Sequence, residues 1–317
     1  MRTAALPAPT PDPQVRRWIR RQLETAPPRA PSLIITVWGD AIAPHGGAVM
    51  LAGLIALLAP FGINERLVRT SVFRLAREGW LKATPVGRES LYRLTRDGAR
   101  RFEQAYRRIY APPVEGWDDT WEMVIADGST AARRRALKLE LGWEGFGTLA
   151  SGVYARPAQP PSAVPRIAAA LGLARRIVVV RARDDATLGG QRLTSVASRA
   201  WDLAGLAADY RGFLRRFGSV IDRLRVAGET AHDPAQAFIV RTLLIHAYRR
   251  VLLRDPQLPA VLLPLDWPGA AAYALCRDFY RLTHRAAERH LLGTLHDARG
   301  TLPPASAAFH RRFGGLG

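Results

Sequence analysis

The most informative hydrophobic pattern in the chain lies in Gly62–Trp80, GINERLVRTSVFRLAREGW. At about 100° per residue, Val68, Ser71, Val72 and Leu75 share one face. Arg66, Thr70, Phe73 and Arg77 share the opposite face, flanked by Arg69 and Arg74. Asn64 reads as the N-cap, Glu65 as first-turn acid and Gly79 as the stop. The helix therefore buries a narrow apolar side and turns a broad band of guanidinium groups outward. Such a band suits phosphates and guanine edges in a major groove, though a merely solvated face has the same pattern.

The flanking pattern narrows the choice. Ser32–Ile42 reads as a first helix, and Ala48–Ala59 (AVMLAGLIALLA) as a compact apolar helix ended by Pro60-Phe61-Gly62. Trp80–Thr84 and Glu89–Leu94 alternate as strands around a basic tip at Pro85–Arg88, the pattern of a β-hairpin. Helix, turn, basic helix and basic hairpin is the layout of a winged helix-turn-helix. Thr95–Tyr110 continues as a basic amphipathic helix. Its apolar side is Phe102, Ala105, Tyr106 and Ile109. From Asn64 to Arg108 there are twelve Arg or Lys against five Asp or Glu, a large positive footprint for so short a stretch.

The remaining pattern divides the chain into further parts. Residues 1–30 read as a Pro- and Ala-rich tail with a short basic helix over Pro13–Thr25, and 31–111 as the winged domain with its linker helix. Ala111-Pro112-Pro113 marks a boundary. Within 114–184, Trp121–Ala126, Gly147–Tyr154 and Ile177–Arg181 read as strands, with helices over Ala131–Leu141 and Ala163–Leu171 between them. Strand, helix, strand, helix, strand points to a ferredoxin-like α+β domain whose fourth strand is not separately visible. Residues 188–300 are helical: Leu193–Leu224, Ala235–Arg254 and Ala270–Gly293, with a Pro-rich connection through Asp266-Trp267-Pro268-Gly269. Residues 301–317 read as a frayed tail. The expected fold is multidomain, mainly α with α+β.

Composition sharpens this picture. The 317 residues carry a formal net charge of +19 with 48% hydrophobic positions, enough for real cores and a bias toward polyanionic partners. Lys82 and Lys138 are the only lysines, and arginine is the better bidentate donor to phosphate and guanine. Cys276, the single cysteine, allows no intrachain disulfide and no cysteine-based metal site. No signal-peptide order and no run of 18 apolar residues is found, so the expectation is a cytoplasmic protein without a membrane. The candidate DNA-binding residues are Arg66, Arg69, Thr70, Ser71, Arg74 and Arg77 on the helix and Lys82, Arg88 and Arg93 on the wing. Ser71 is the weakest, being near the buried edge.

Candidate chemistry is sparse. His284, His290 and His296 recur every six residues, which turns about 240° per step on a helix and scatters them around it. Cys276 sits in an apolar helix and reads as a buried structural thiol. Gly46-Gly47 lacks the Gly-Lys-Ser/Thr of a phosphate loop. No metal and no catalytic residue is expected.

Four stretches together resemble the PaaX family: PPRAPSLIITVWGDAIAPHGGAV (27–49), GINERLVRTSVFRLAREGWL (62–81), GWDDTWEMVIAD (116–127) and LRDPQLPAVLLPLDWPGAAAYALCRDFYRL (253–282). The resemblance covers about residues 15–290. It implies a winged helix, a middle ferredoxin-like domain similar to a CRISPR-adaptation nuclease, and a helical C-terminal domain. It also implies a homodimeric repressor of phenylacetate catabolism that binds double-stranded operator DNA and leaves it on binding phenylacetyl-CoA. Such a thioester wants an apolar aromatic pocket and arginines for its phosphates. Trp201, Tyr210, Trp267 and Tyr273 are candidates for the ring, and Arg199, Arg241 and Arg254 for the phosphates. Core packing and surface charge would account for the same residues. The nuclease resemblance raises metal-dependent cleavage through Asp127 as an alternative, with no further carboxylates visible to complete a site; as an N-cap, Asp127 serves the next helix.

Overall fold

The computed structural model describes residues 10–112, 116–126, 130–159, 161–183, 185, 195, 200–228 and 232–316. They form two compact units. One comprises Met1–Pro112, Phe213–Arg249 and Ala271–Gly317; the other comprises Pro113–Gly212 and Arg250–Ala270.

The first unit begins with α1 (Pro13–Thr25), capped by Asp12, whose carboxylate accepts from the Gln14 and Val15 amides. Then α2 (Ala30–Val37) passes without a break into a π-helical turn at Trp38–Ile42. The compact apolar segment is shorter than its pattern predicts. Ala48–Met50 is strand β1, and only Leu51–Leu58 is helix α3. The left-handed Gly46 and Gly47 redirect the chain so that the Gly47 carbonyl accepts from the Leu94 amide, which seeds pairing in place of a helical turn. A 3-10 turn at Ala59–Phe61 leads to α4 (Glu65–Arg77). The hairpin follows as β2 (Leu81–Val86) and β3 (Glu89–Leu94), then α5 (Arg96–Tyr110). The sheet is antiparallel in the order β1-β3-β2.

In the second unit β4 (Trp121–Ala126), α6 (Ala131–Trp143), β5 (Gly147–Ala150), β6 (Val153–Pro157), α7 (Val164–Ala170) and β7 (Ile177–Ala182) follow in order. The segment Gly147–Tyr154, which patterns as one strand, is a tight hairpin turning at Gly152 (φ 77°), and it supplies the fourth strand. All pairings are antiparallel, in the order β5-β6-β4-β7. Val124, Leu137, Leu141, Phe146, Tyr154, Val164, Ile167 and Leu173 form the core between sheet and helices. Trp121 and Ala155 anchor a smaller cluster with Trp117, Met123, Leu149, Trp201 and Leu262.

Among the described residues three long helices follow: α8 (Leu203–Ala227), α9 (Pro234–Leu252) and α10 (Gly269–Thr294). A short hairpin, β8 (His296–Asp297) and β9 (Gly300–Thr301), and one helical turn, α11 (Ala307–His310), follow. The last residues do not fray. Phe309, Arg312 and Phe313 are buried, and the Arg312 guanidinium lies 4.1 Å from the Tyr110 ring centroid. The tail's partners, Tyr110 and Tyr280, are far away in sequence, so no local periodicity announces the packing. No helix is long and apolar enough to cross a membrane among the described residues.

Candidate nucleic-acid interface

The basic helix is built from both ends. Asn64 is extended, and its side-chain oxygen accepts from the Leu67 amide at 2.9 Å, closing the first turn. At the other end the Trp80 amide donates to the Leu75 carbonyl across the left-handed Gly79. Val68, Ser71, Val72 and Leu75 are buried where α4 packs on α2 and α3. Ser71, named above as a DNA contact, is therefore in the packed side of the helix and not on its outer face. Arg66, Arg69, Thr70, Phe73, Arg74 and Arg77 are all exposed.

The exposed cations are not equivalent. Arg69 forms an ion pair with Glu65 at 2.7 Å, and Arg74 with Glu78 at 3.3 Å. These solvent-facing i,i+4 pairs are weak, and a phosphate readily competes for the guanidinium. Among the described residues, Arg66, Arg77, Lys82, Arg88 and Arg93 have no carboxylate within ion-pair distance. Thr70 donates its hydroxyl to the Arg66 carbonyl at 2.8 Å. Outward it presents oxygen lone pairs and a methyl group.

The hairpin adds a second patch. Lys82 and Arg93 are directly opposite in register, a like-charge pair that costs stability in the free protein and favours an anion between the two. Arg88 stands at the tip beside Gly87 (φ 59°). The Thr95 hydroxyl fixes the hairpin to the helix: it donates to the Gly79 carbonyl at 2.6 Å and accepts from the Gly98 amide. Gly98 is required here, because a side chain would run into the Trp80 carbonyl oxygen. Trp80 also packs edge-on against Phe102 and carries Arg101 over its face.

A second feature of the same unit carries no local signal in the sequence. Asp40, 3% exposed in the π-helical turn that follows α2, is the hub of a buried ionic network. Its Oδ1 accepts from the hydroxyls of Tyr110 (2.5 Å) and Tyr280 (2.8 Å), and Arg312 lies 3.3 Å away. On the other side Arg241 Nε is 3.3 Å from Asp40 Oδ2, and its Nη1 donates to Glu288 at 2.9 Å. Glu288 also faces His45 Nε2 at 2.7 Å, while His45 Nδ1 meets the Pro303 carbonyl. Burial raises the Tyr280 hydroxyl above its ordinary range. Burial also pushes the Glu288 carboxyl up, but His45 and Arg241 outweigh it and bring its pKa down to about 2. Burial works against the charge on Arg241, yet its neighbours Tyr280, Asp40 and Glu288 hold its pKa above the usual value.

The effector candidates divide between the two units. Trp201, Tyr210, Arg254 and Trp267 belong to the second unit, whereas Arg241 and Tyr273 belong to the first. Tyr210 is buried, donates to Asp255 at 2.6 Å and meets the Trp267 ring edge-on. Trp201 donates its indole N–H to the Gly145 carbonyl, and Arg254 pairs with Asp209. Tyr273 packs on Phe313. Arg241 is wholly buried between two carboxylates, so its charge is neutralised inside the protein and not offered at a surface. Arg199 and Asp127 lie outside the described residues.

Among the described residues no three His, Cys, Asp or Glu side chains converge as a metal site. His284 Nδ1 donates to the Arg281 carbonyl within α10, the His290 ring lies tilted against Phe238, and His296 is exposed in β8. Cys276 is buried, which raises its thiol pKa well above the ordinary value. Glu122, the buried carboxylate of β4, is bound by Arg156 at 2.8 Å.

Three family models match the chain: PaaX-like protein over residues 29–98, PaaX protein central Cas2-like domain over 114–194, and PaaX-like protein C-terminal domain over 201–293. The transcriptional repressor PaaX of Escherichia coli (strain K12) is 34% identical over 299 residues, covering 94% of each chain. That relative is named as a regulator, not an enzyme. The structure of the uncharacterized protein Rv0674 from Mycobacterium tuberculosis aligns with a TM-score of 0.53 at 28% identity, over 83% of this chain and 98% of its own. With identity of this order running nearly end to end and all three family segments in sequence order, the chain belongs to the PaaX family.

Proposed function

We propose that the chain is a DNA-binding transcriptional repressor of phenylacetate catabolic genes, a cytoplasmic homodimer released from its operator by phenylacetyl-CoA. The observation that carries the DNA half is the outer face of α4 beside the β2–β3 hairpin. A capped helix presents Arg66, Arg69, Thr70, Arg74 and Arg77, and a hairpin tied to its C-terminal end presents Lys82, Arg88 and Arg93. In this reading the assembly is a winged helix-turn-helix: α4 enters a major groove and the hairpin holds the backbone beside it. The middle unit, with its β-α-β-β-α-β order, is read as ferredoxin-like and serves as a structural module. The repressor role follows the named relative, and the effector and dimer follow the family resemblance.

The test is binding to the DNA upstream of the chain's own gene neighbourhood, at fixed salt, with phenylacetyl-CoA or free phenylacetate added. Specific binding abolished by the thioester and not by the free acid supports both halves. Specific binding indifferent to the thioester removes the effector and keeps the repressor. No preference over random DNA removes the DNA-reading assignment. Sedimentation of the free protein checks the dimer, which also predicts two half-sites related by a twofold axis.

A further inference from the structure

Phe73 stands out on the basic helix. It is 62% exposed, and it sits on the outer face of α4 rather than at its margin. Arg69 and Thr70 lie four and three residues before it and Arg77 four after, so polar or charged groups flank the ring along its own side of the helix. Among the described residues no packing contact accounts for a phenyl group there. Val68, Ser71, Val72 and Leu75 already make the buried contact, and Phe73 points the other way.

We propose that Phe73 reads the C5-methyl group of thymine in the major groove. This rests on the DNA-binding reading above and adds an uncharged specificity residue to it. The surrounding arginines commit this face to a polyanion, which excludes an apolar protein partner on grounds of charge. Phosphates offer no apolar surface, and the floor of a major groove offers one apolar group on its base edges, the thymine methyl. A helical Phe side chain leans toward the N-terminus, so its ring covers the turn carrying Arg69 and Thr70. That turn lies in the N-terminal half of α4, the part of a recognition helix that reaches base edges.

The experiment uses the full chain and a duplex site selected from random sequence. Each thymine of the site is replaced in turn by uracil, which deletes one methyl and leaves every hydrogen bond intact. Wild type should lose about fourfold in affinity at one or two positions per half-site, the value of one buried methyl at about 0.8 kcal/mol. Phe73→Ala should bind the thymine duplex more weakly by at least that factor, and its thymine-to-uracil ratio should fall to one at those positions. Its salt slope should be unchanged, because no charge was removed. Phe73→Leu, which keeps an apolar contact, should retain part of the ratio; thermal melting of both variants checks that they are folded.

Selection of a site whose contacted half-sites hold no thymine overturns the proposal. So does uracil tolerance everywhere in wild type, or undiminished uracil sensitivity in Phe73→Ala, which would assign the methyl to another residue. If wild type selects no sequence at all, the DNA-reading assignment itself falls; in the other failures it stands and only Phe73 loses its role.

Discussion

Replacing Asp40 by Asn tests the buried network most directly. The change keeps the shape of the side chain and removes one charge. In the native protein Asp40 faces Arg312 and Arg241, each at 3.3 Å, and accepts from two tyrosine hydroxyls. At an effective dielectric of about 20, each ion contact is worth roughly 5 kcal/mol before desolvation is set against it. What the substitution leaves is two buried guanidinium groups with Glu288 as the remaining carboxylate of the network, and an amide N–H₂ aimed at donors. Removing one partner of a buried pair costs about 3–5 kcal/mol. For a unit of about 200 residues this lowers the melting temperature by roughly 6–20 °C. Because the chain has two units, amide exchange by mass spectrometry is the better assay: peptides from α2, α9, α10 and the last ten residues should lose protection together while those of β4–β7 keep theirs. Combining Asp40→Asn with Arg312→Met should cost less than the sum of the single changes, since the second removes the charge that the first orphans. A variant within about 0.5 kcal/mol of wild type, or strict additivity in the double change, would refute the claim that Asp40 holds these elements.

Four further outcomes follow. Glu288 has a folded pKa of about 2 against an ordinary 4.5, so its contribution is full above pH 4.5 and is lost as pH falls toward 2. Urea midpoints measured across that range should show a slope worth up to about 3 kcal/mol, and Glu288→Gln should flatten it. Arg66→Ala, which breaks no ion pair, should cost about 1–3 kcal/mol against a selected site and relax one base position if it reads a base edge; unchanged affinity would remove it from the interface. Arg93→Ala should leave the free protein as stable or slightly more so, by relieving Lys82, yet reduce the salt slope of DNA binding by about one; an unchanged slope would take the hairpin off the phosphates. Phe313→Ala should destabilise the first unit by about 3–5 kcal/mol in a denaturant melt, whereas a frayed tail would register nothing.

How much of this was legible in the sequence depends on the range over which each interaction acts. The basic helix, its Asn64 cap, its Gly79 stop and the hairpin are fixed by residues within a few positions of each other, and the structure places them as the pattern predicts. Two failures were local but misleading. Ala48–Met50 is apolar enough for a helix, yet the turn at Gly46-Gly47 delivers it to β3; Gly147–Tyr154 alternates like one strand, yet Gly152 folds it back on itself. The ionic network was invisible for a different reason. Asp40, Arg241, Glu288 and Arg312 are each ordinary charged residues in their own segments, and only the tertiary fold brings them together. Arg241 therefore patterned as a phosphate ligand. Phe73 patterns onto the outer face, but the pattern alone does not distinguish an apolar residue left in solvent from one covered by another element.

Charge alone does not make a sequence-reading protein. A net +19 attracts any polyanion, and each arginine at a phosphate adds to affinity and to its salt dependence in the same measure for every sequence. Choice among sequences must come from groups that meet base edges at fixed positions. In the proposed interface the candidates on α4 are its exposed arginines, which would face guanine, together with the uncharged side chains of Thr70 and Phe73. Thr70 has committed its hydroxyl hydrogen to the Arg66 carbonyl, so toward DNA it accepts and does not donate. It therefore fits the exocyclic amines of adenine or cytosine, while Phe73 fits thymine. Thr70→Val keeps the shape and removes that acceptor. It should shift preference at one position away from adenine or cytosine and leave the salt slope unaltered. If the slope changes and the preference does not, α4 is holding the backbone rather than reading the groove.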